Sequence, residues 1–271
     1  MTERLVTTQD GATLKARRHG QGRPLVLVSG LGGTAGFWDP AIALLGSEFE
    51  LITFDQRGIA GSSRGGAPVD IAQLATDVLT VCDAMGIAEA DFLGHSTGGA
   101  IVQTIAATAP ERVGNLVLSA AWLRPGHYLK ALFEFRLRLL ASDPAAYAES
   151  AALLSYAPEW LEANWAKYER ATANPPADPT KQAIVAERIR ALLAYDGTDQ
   201  IGAIAARTLV LGARDDMIVP AFLQAELAEH LPGAELRLLD DGGHFYPGSR
   251  TETFAPLVAD WLAGRADTMT S

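Results

Sequence analysis

The chain has a single cysteine, Cys82, in 271 residues. One thiol closes no intrachain disulfide, which excludes a cystine-stapled scaffold. Cys82 also falls inside an apolar helical pattern and reads as a buried structural thiol. No apolar run reaches the ~18 residues of a membrane-crossing helix. The opening Met1-Thr2-Glu3-Arg4-Leu5 lacks the apolar core of a secretory signal, so a cytoplasmic protein is expected. Basic residues are scarce, with 22 Lys and Arg against 32 Asp and Glu and a formal charge of −10. That balance argues against nucleic acid or an anionic membrane as partner. No H-x-x-x-H pair or cysteine cluster suggests a metal, and neither G-x-G-x-x-G nor a P-loop lysine occurs. The expectation is chemistry on a small-molecule substrate without metal or organic cofactor. A homodimer is compatible with this composition.

What is present is a hydrophobic fraction of 48%, enough to bury a large core in one domain or in a domain carrying an insertion. Asp10-Gly11 between two alternating segments predicts an opening antiparallel hairpin. Four near-continuous apolar runs follow at wide intervals: Leu25-Val26-Leu27-Val28, Leu51-Ile52-Thr53-Phe54, Leu116-Val117-Leu118 and Thr208-Leu209-Val210-Leu211. Such runs suit parallel strands covered on both faces. Between them Ile71, Leu74, Val78, Val81, Cys82 and Met85 recur at helical spacing. Asp70 is placed to cap this helix, Gln73 to complete a capping box, and Gly86 to end it. Alternating strand and helix predicts an α/β fold with a mainly parallel sheet.

Residues 122–200 break this rhythm. They hold no convincing strand, much alanine and many Trp and Tyr, and read as an inserted helical cap between core segments 1–121 and 201–271. Asn174-Pro175-Pro176-Ala177-Asp178-Pro179 forms a loop that splits the cap.

The most telling segment is Gly94-His95-Ser96-Thr97-Gly98, which follows the apolar strand Asp91-Phe92-Leu93 and precedes a small-residue helix. A serine between two glycines on a strand–turn–helix corner has the spacing of a nucleophile elbow. A serine hydroxyl needs a base within reach, usually a histidine oriented by a carboxylate. In chain order the acid and then the base should follow Ser96. Asp215-Asp216 lies just beyond the fourth apolar run, and His244 ends Asp240-Asp241-Gly242-Gly243-His244. His230 reads as a solvated helix-end residue.

A tetrahedral intermediate needs two preorganised N–H donors. The amide of Thr97 is one candidate. The other is Leu31, in the pliable loop Ser29-Gly30-Leu31-Gly32-Gly33 after the first apolar run. In the cap, Trp122, Arg124 and His127 are candidates for touching substrate. Arg124, Arg136 and Arg138 could each grip a carboxylate, with Arg124 preferred, although basic residues on a helix are usually solvated.

Assembled, these marks resemble the α/β-hydrolase fold superfamily over nearly the whole chain: Ser29-Gly30-Leu31-Gly32-Gly33, Asp55-Gln56-Arg57-Gly58, the elbow with Gly99, Asp216-Met217-Ile218-Val219-Pro220, and Gly243-His244. The resemblance selects Asp216 over Asp215 as the acid, because the acid in relatives lies four residues before such a proline. Within the superfamily the chain is similar to a branch of aminoacrylate hydrolases, 3-oxoadipate enol-lactonases and small arylesterases. The carriers of that likeness are Trp122-Leu123-Arg124 and Phe135-Arg136-Leu137-Arg138-Leu139-Leu140. Two positions depart from the pattern. Ser29 stands where a histidine often precedes the oxyanion glycine, and Ala60-Gly61 replaces a glycine followed by a variable residue.

The resemblance implies a serine hydrolase that cleaves a small carboxylic ester, lactone, amide or carbamate. Carbon–carbon bond hydrolysis by the same triad, cofactor-free oxygenation and a slow-turnover ligand receptor are the alternatives. Serine at the elbow counts against dehalogenase and epoxide hydrolase chemistry, which use a carboxylate there.

Overall fold

The apolar runs become the inner strands of one eight-stranded sheet in a computed structural model that describes residues 1–265. The strands are β1 (Thr2–Thr7), β2 (Thr13–His19), β3 (Arg23–Val28), β4 (Phe49–Phe54), β5 (Ala90–His95), β6 (Val113–Ser119), β7 (Arg207–Ala213) and β8 (Glu235–Leu239). Their spatial order is β1-β2-β4-β3-β5-β6-β7-β8. The opening hairpin β1–β2 is antiparallel and β2 meets β4 antiparallel, whereas every pairing from β4 through β8 is parallel.

Side chains alternate between the faces of a strand, which explains why the inner runs are apolar without a break. Val26, Val28, Phe92, Leu118 and Val210 join one core with Leu74, Val78 and Ile101. Leu25, Leu27, Leu93, Leu209 and Leu211 join a second core with Trp38, Phe254 and Trp261. Each fully buried aliphatic side chain contributes roughly 1.5–3 kcal/mol, so both faces hold the sheet.

The helices are α1 (Asp39–Leu45), α2 (Ile71–Ala84), α3 (Thr97–Thr108), α4 (His127–Ser142), α5 (Pro144–Ser155), α6 (Pro158–Ala163), α7 (Ala166–Thr172), α8 (Pro179–Ala194), α9 (Ala221–His230), α10 (Tyr246–Ser249) and α11 (Thr251–Ala263). In α2 the Asp70 carboxylate accepts the Gln73 amide at 2.7 Å, and Gly86 follows the helix at φ 74°. The capping box is not completed. Gln73 turns its side chain forward and donates to Asp77 at 3.0 Å, because Asp77 is already fixed there by Arg57.

Between the neighbouring strands β6 and β7 run α4 to α8 without a strand. The proline-rich stretch lies between α7 and α8, so four helices precede it and one follows. Pro179 opens α8, where a missing N–H costs nothing, and the Asp178 side chain caps it through the amides of Thr180 and Lys181. Cys82 is buried in the core, and burial pushes its thiol up to about 12.

Candidate active site

The loops after β3, β5, β7 and β8 leave the sheet at its carboxyl edge, where open α/β sheets place ligand sites. Val28 pairs with Gly94, so the Ser29–Gly33 loop and the Ser96 turn are neighbours. Ala213 pairs with Leu239, which brings the Asp216 and His244 loops together.

Ser96 has φ 56° and ψ −122°, a backbone conformation costly for an L-residue. The flanking glycines make it possible. A Cβ on Gly94 would overlap the Gly98 carbonyl, and one on Gly98 would overlap the Val28 carbonyl oxygen. The Ser96 amide donates to the Ser119 carbonyl at 2.8 Å, pinning the turn to the end of β6. Gly30 leaves room on the other side, since a Cβ there would crowd Ser96 Cβ at 3.0 Å.

His244 is buried, and its Nδ1 lies 2.8 Å from Asp216 Oδ2. The other oxygen of Asp216 accepts the amides of Ile218 and Val219, each at 2.8 Å. A carboxylate only accepts, so Nδ1 carries a proton, and in the neutral imidazole the lone pair is on Nε2. Asp215 points elsewhere and accepts the amides of Gly242 and Gly243 at 3.1 and 2.9 Å. Ser96 and His244 line one cavity of about 570 Å³ with Leu31 and Phe37. The Ser96 hydroxyl forms no hydrogen bond with a described residue, an arrangement common before substrate tightens a site.

On the wall of this cavity His95 stacks on Phe37, with ring centres 4.9 Å apart, and lies 4.9 Å from the His244 ring. Tyr246 donates its only hydroxyl proton to the Leu211 carbonyl at 2.8 Å. Ser119 must then donate to Tyr246 at 2.5 Å. His95 Nδ1 in turn donates to Ser119 at 2.9 Å. Its Nε2 is left as a buried lone pair. Burial, with a smaller contribution from the charge of His244, holds the His95 pKa well below the usual histidine value.

The cavity also draws on α4 to α8. Phe133, Arg136, Tyr147 and Val185 line it. Arg188 in α8 reaches the loop that holds Leu31: Nε donates to the Leu31 carbonyl at 2.8 Å, and Nη2 to the Gly30 carbonyl at 3.2 Å and Gln56 Oε1 at 2.5 Å. Gln56 passes the restraint on, donating to the Ser29 carbonyl at 2.7 Å. Arg188 is 1% exposed, and burial lowers its pKa to about 10. Nothing in the order of residues couples positions 31 and 188. The available signal was a cation on the apolar stripe of α8, beside the buried Ile189 and Leu192.

Of the residues anticipated to touch substrate, three lie away from this cavity's lining. Trp122 is packed in the core, where its carbonyl accepts from Gln103 at 3.2 Å. Arg124 is exposed and paired with Glu226 at 3.2 Å, and His127 is exposed at the start of α4. Thr97 begins α3 beside Ser96, with its side chain buried. The departing Ala60 takes φ 47°, and the Gly61 amide still reaches Asp55 Oδ2 at 3.2 Å. Among the described residues no group of three or more His, Cys, Asp or Glu could hold a metal ion, and no helix is long and apolar enough to cross a membrane.

Comparison with known proteins gives the same architecture. A family model described as alpha/beta hydrolase fold matches residues 23–247. The protein named "Putative carbamate hydrolase RutD" of Azorhizobium caulinodans is 37% identical over 241 residues, covering 89% of this chain and 91% of its own. The protein of the same name from Stutzerimonas stutzeri is 36% identical over 251 residues, 90% of this chain and 95% of its own. A hydrolase from Pseudomonas aeruginosa PA01 superposes with a TM-score of 0.86 at 28% identity, covering 96% of this chain and 98% of that one. The enol-lactonase of Burkholderia xenovorans LB400 superposes at 0.85 with 25% identity, covering 93% and 97%. The chain thus belongs to the alpha/beta hydrolase fold family and is a hydrolase.

Proposed function

We propose that this hydrolase cleaves a small carboxylic ester, lactone, amide or carbamate through an acyl-enzyme on Ser96, with His244 as base and Asp216 as its orienting acid. The observation that carries the reading is the His244 Nδ1 contact with Asp216 at 2.8 Å on the rim of the cavity that Ser96 lines. It leaves the Nε2 lone pair free to take the Ser96 proton as Oγ adds to the substrate carbonyl. The new oxyanion is received by the amides of Leu31 and Thr97. His244 then gives its proton to the departing alcohol or amine as the carbon–heteroatom bond breaks. Water, deprotonated by His244, attacks the acyl group, and Ser96 leaves with the proton. The carbamate in the names of the relatives and the enol-lactone of a structural neighbour fall within this substrate range.

In this reading residues 122–200 serve as a cap over the core and shape the substrate cavity. The enzyme acts on a small molecule in the cytoplasm, in keeping with its lone, buried cysteine.

The test is initial rates on p-nitrophenyl esters from acetate to decanoate, with labelling by a fluorophosphonate. Ser96→Ala and His244→Ala should each lower kcat by at least about 10⁴-fold, and mass spectrometry should find the label on Ser96. Full activity in Ser96→Ala would end the proposal.

A further inference from the structure

Arg136 lies on the buried stripe of α4, spaced with Leu129, Phe133 and Leu140 as an apolar residue would be. It is 5% exposed, and its guanidinium forms no hydrogen bond or ion pair with any described residue. Its Nε is buried without a partner. Instead two rings hold it: Cζ lies 5.2 Å from the Phe133 ring centre and 4.8 Å from that of Tyr147. Aromatic faces attract a cation but leave the in-plane N–H fork unused. A buried charge with unmet donors is unfavourable unless something else meets them.

The cavity supplies the context. Its lining includes no Asp or Glu, and Arg136 is the only Lys or Arg in it. In a chain of net charge −10, the one permanent charge on the cavity wall is therefore a cation with free donors. The two rings flank the guanidinium, and its planar fork matches the two oxygens of a carboxylate. Arg188 is nearby but does not line the cavity, and Leu31, Gly30 and Gln56 occupy its Nε and Nη2 donors, which leaves only Nη1 without a partner.

We propose that Arg136 recognises an anion, and that the natural substrate carries a carboxylate remote from the bond that is cleaved. The proposal rests on the Ser96 acyl-enzyme reading only for which bond breaks. Carboxylate binding by Arg136 stands without it.

The experiment compares monomethyl with dimethyl esters of the dicarboxylic acids from succinic to suberic. The wild type should prefer the half-ester at one chain length by at least about tenfold in kcat/KM, with the difference in KM. The ratio of half-ester to diester should collapse in Arg136→Met and fall several-fold in Arg136→Lys, whose ammonium cannot donate two parallel bonds. Should Arg136→Met fail to fold, Arg136→Lys decides. Calorimetry on Ser96→Ala should show the preferred half-ester binding at least about tenfold tighter than its diester. Equal kcat/KM for the two series, or an undiminished preference in either Arg136 variant, would overturn the proposal and leave the acyl-enzyme reading intact. Half-ester binding that depends on Arg136, with neither ester hydrolysed, would do the reverse. A melting-temperature loss with an unchanged ratio would make Arg136 a packing residue only.

Discussion

Asp215 accepts the Gly243 amide at 2.9 Å, so the acid next to Asp216 holds the loop that presents His244. Asp216 contacts the imidazole itself at 2.8 Å. Two adjacent carboxylates thus serve one histidine, one through its ring and one through its backbone. Their substitutions should separate. Asp216→Asn should lower kcat by about 10³–10⁴-fold by spoiling the tautomer. Asp215→Ala orphans two buried amides and should cost roughly 2–3 kcal/mol of stability with a smaller loss of kcat. Steady-state kinetics and urea unfolding on both variants check this, and equal kcat losses would contradict it.

Arg188 is a positioning residue for the Leu31 loop. Arg188→Met frees the Leu31 and Gly30 carbonyls and Gln56 Oε1. A loose donor loop should lower kcat by about 10–100-fold with little change in KM, measured well below the melting temperature. Normal kcat in a less stable variant would reduce Arg188 to a structural strut.

His95 gives acid sensitivity a definite sign. Its folded pKa is depressed, so it stays neutral in the native state while the unfolded chain takes up a proton below ~6.5. The unfolded state then binds more protons, and stability falls as pH drops through that value, by at most about 1.4 kcal/mol per unit from this group. Urea midpoints at pH 7.5 and 5.5 should differ more for the wild type than for His95→Phe. An identical pH dependence in the two would show that other groups govern it.

Ala60 adopts φ 47° where glycine would be unstrained. Ala60→Gly relieves a left-handed cost of about 1–2 kcal/mol and adds back some unfolded-state entropy. A net gain of about 0.5–1 kcal/mol is expected by denaturant titration, with kcat unchanged. A loss would mean that the methyl group packs usefully.

The parallel sheet was legible because a doubly covered strand must be apolar at every position, as Leu25 to Val28 and Leu209 to Leu211 are. The Ser96 turn was legible because its demand is local, with two carbonyls that exclude a Cβ at Gly94 and Gly98. The contributors from α4 to α8 were legible only in part: Arg136 was one of three arginines expected to grip a carboxylate, but Arg124 was preferred, and it does not line the cavity. Trp122, Arg124 and His127, expected in the cap to touch substrate, do not line the cavity. Arg136 and Arg188 interrupt apolar stripes, a readable signal, but an interrupted stripe does not say what lies opposite.

By itself the sequence determined the alternation of strand and helix, the strained serine corner, and an acid and a histidine at later strand ends, because backbone sterics and burial act on neighbouring residues. Only the tertiary structure decided that Asp215 would hold the His244 loop, that α8 would reach back to Leu31, and that Arg136 would face an acid-free cavity. Those relations join positions up to 157 residues apart. They depend on how whole helices pack against the sheet edge, a sum over many contacts that no local pattern encodes.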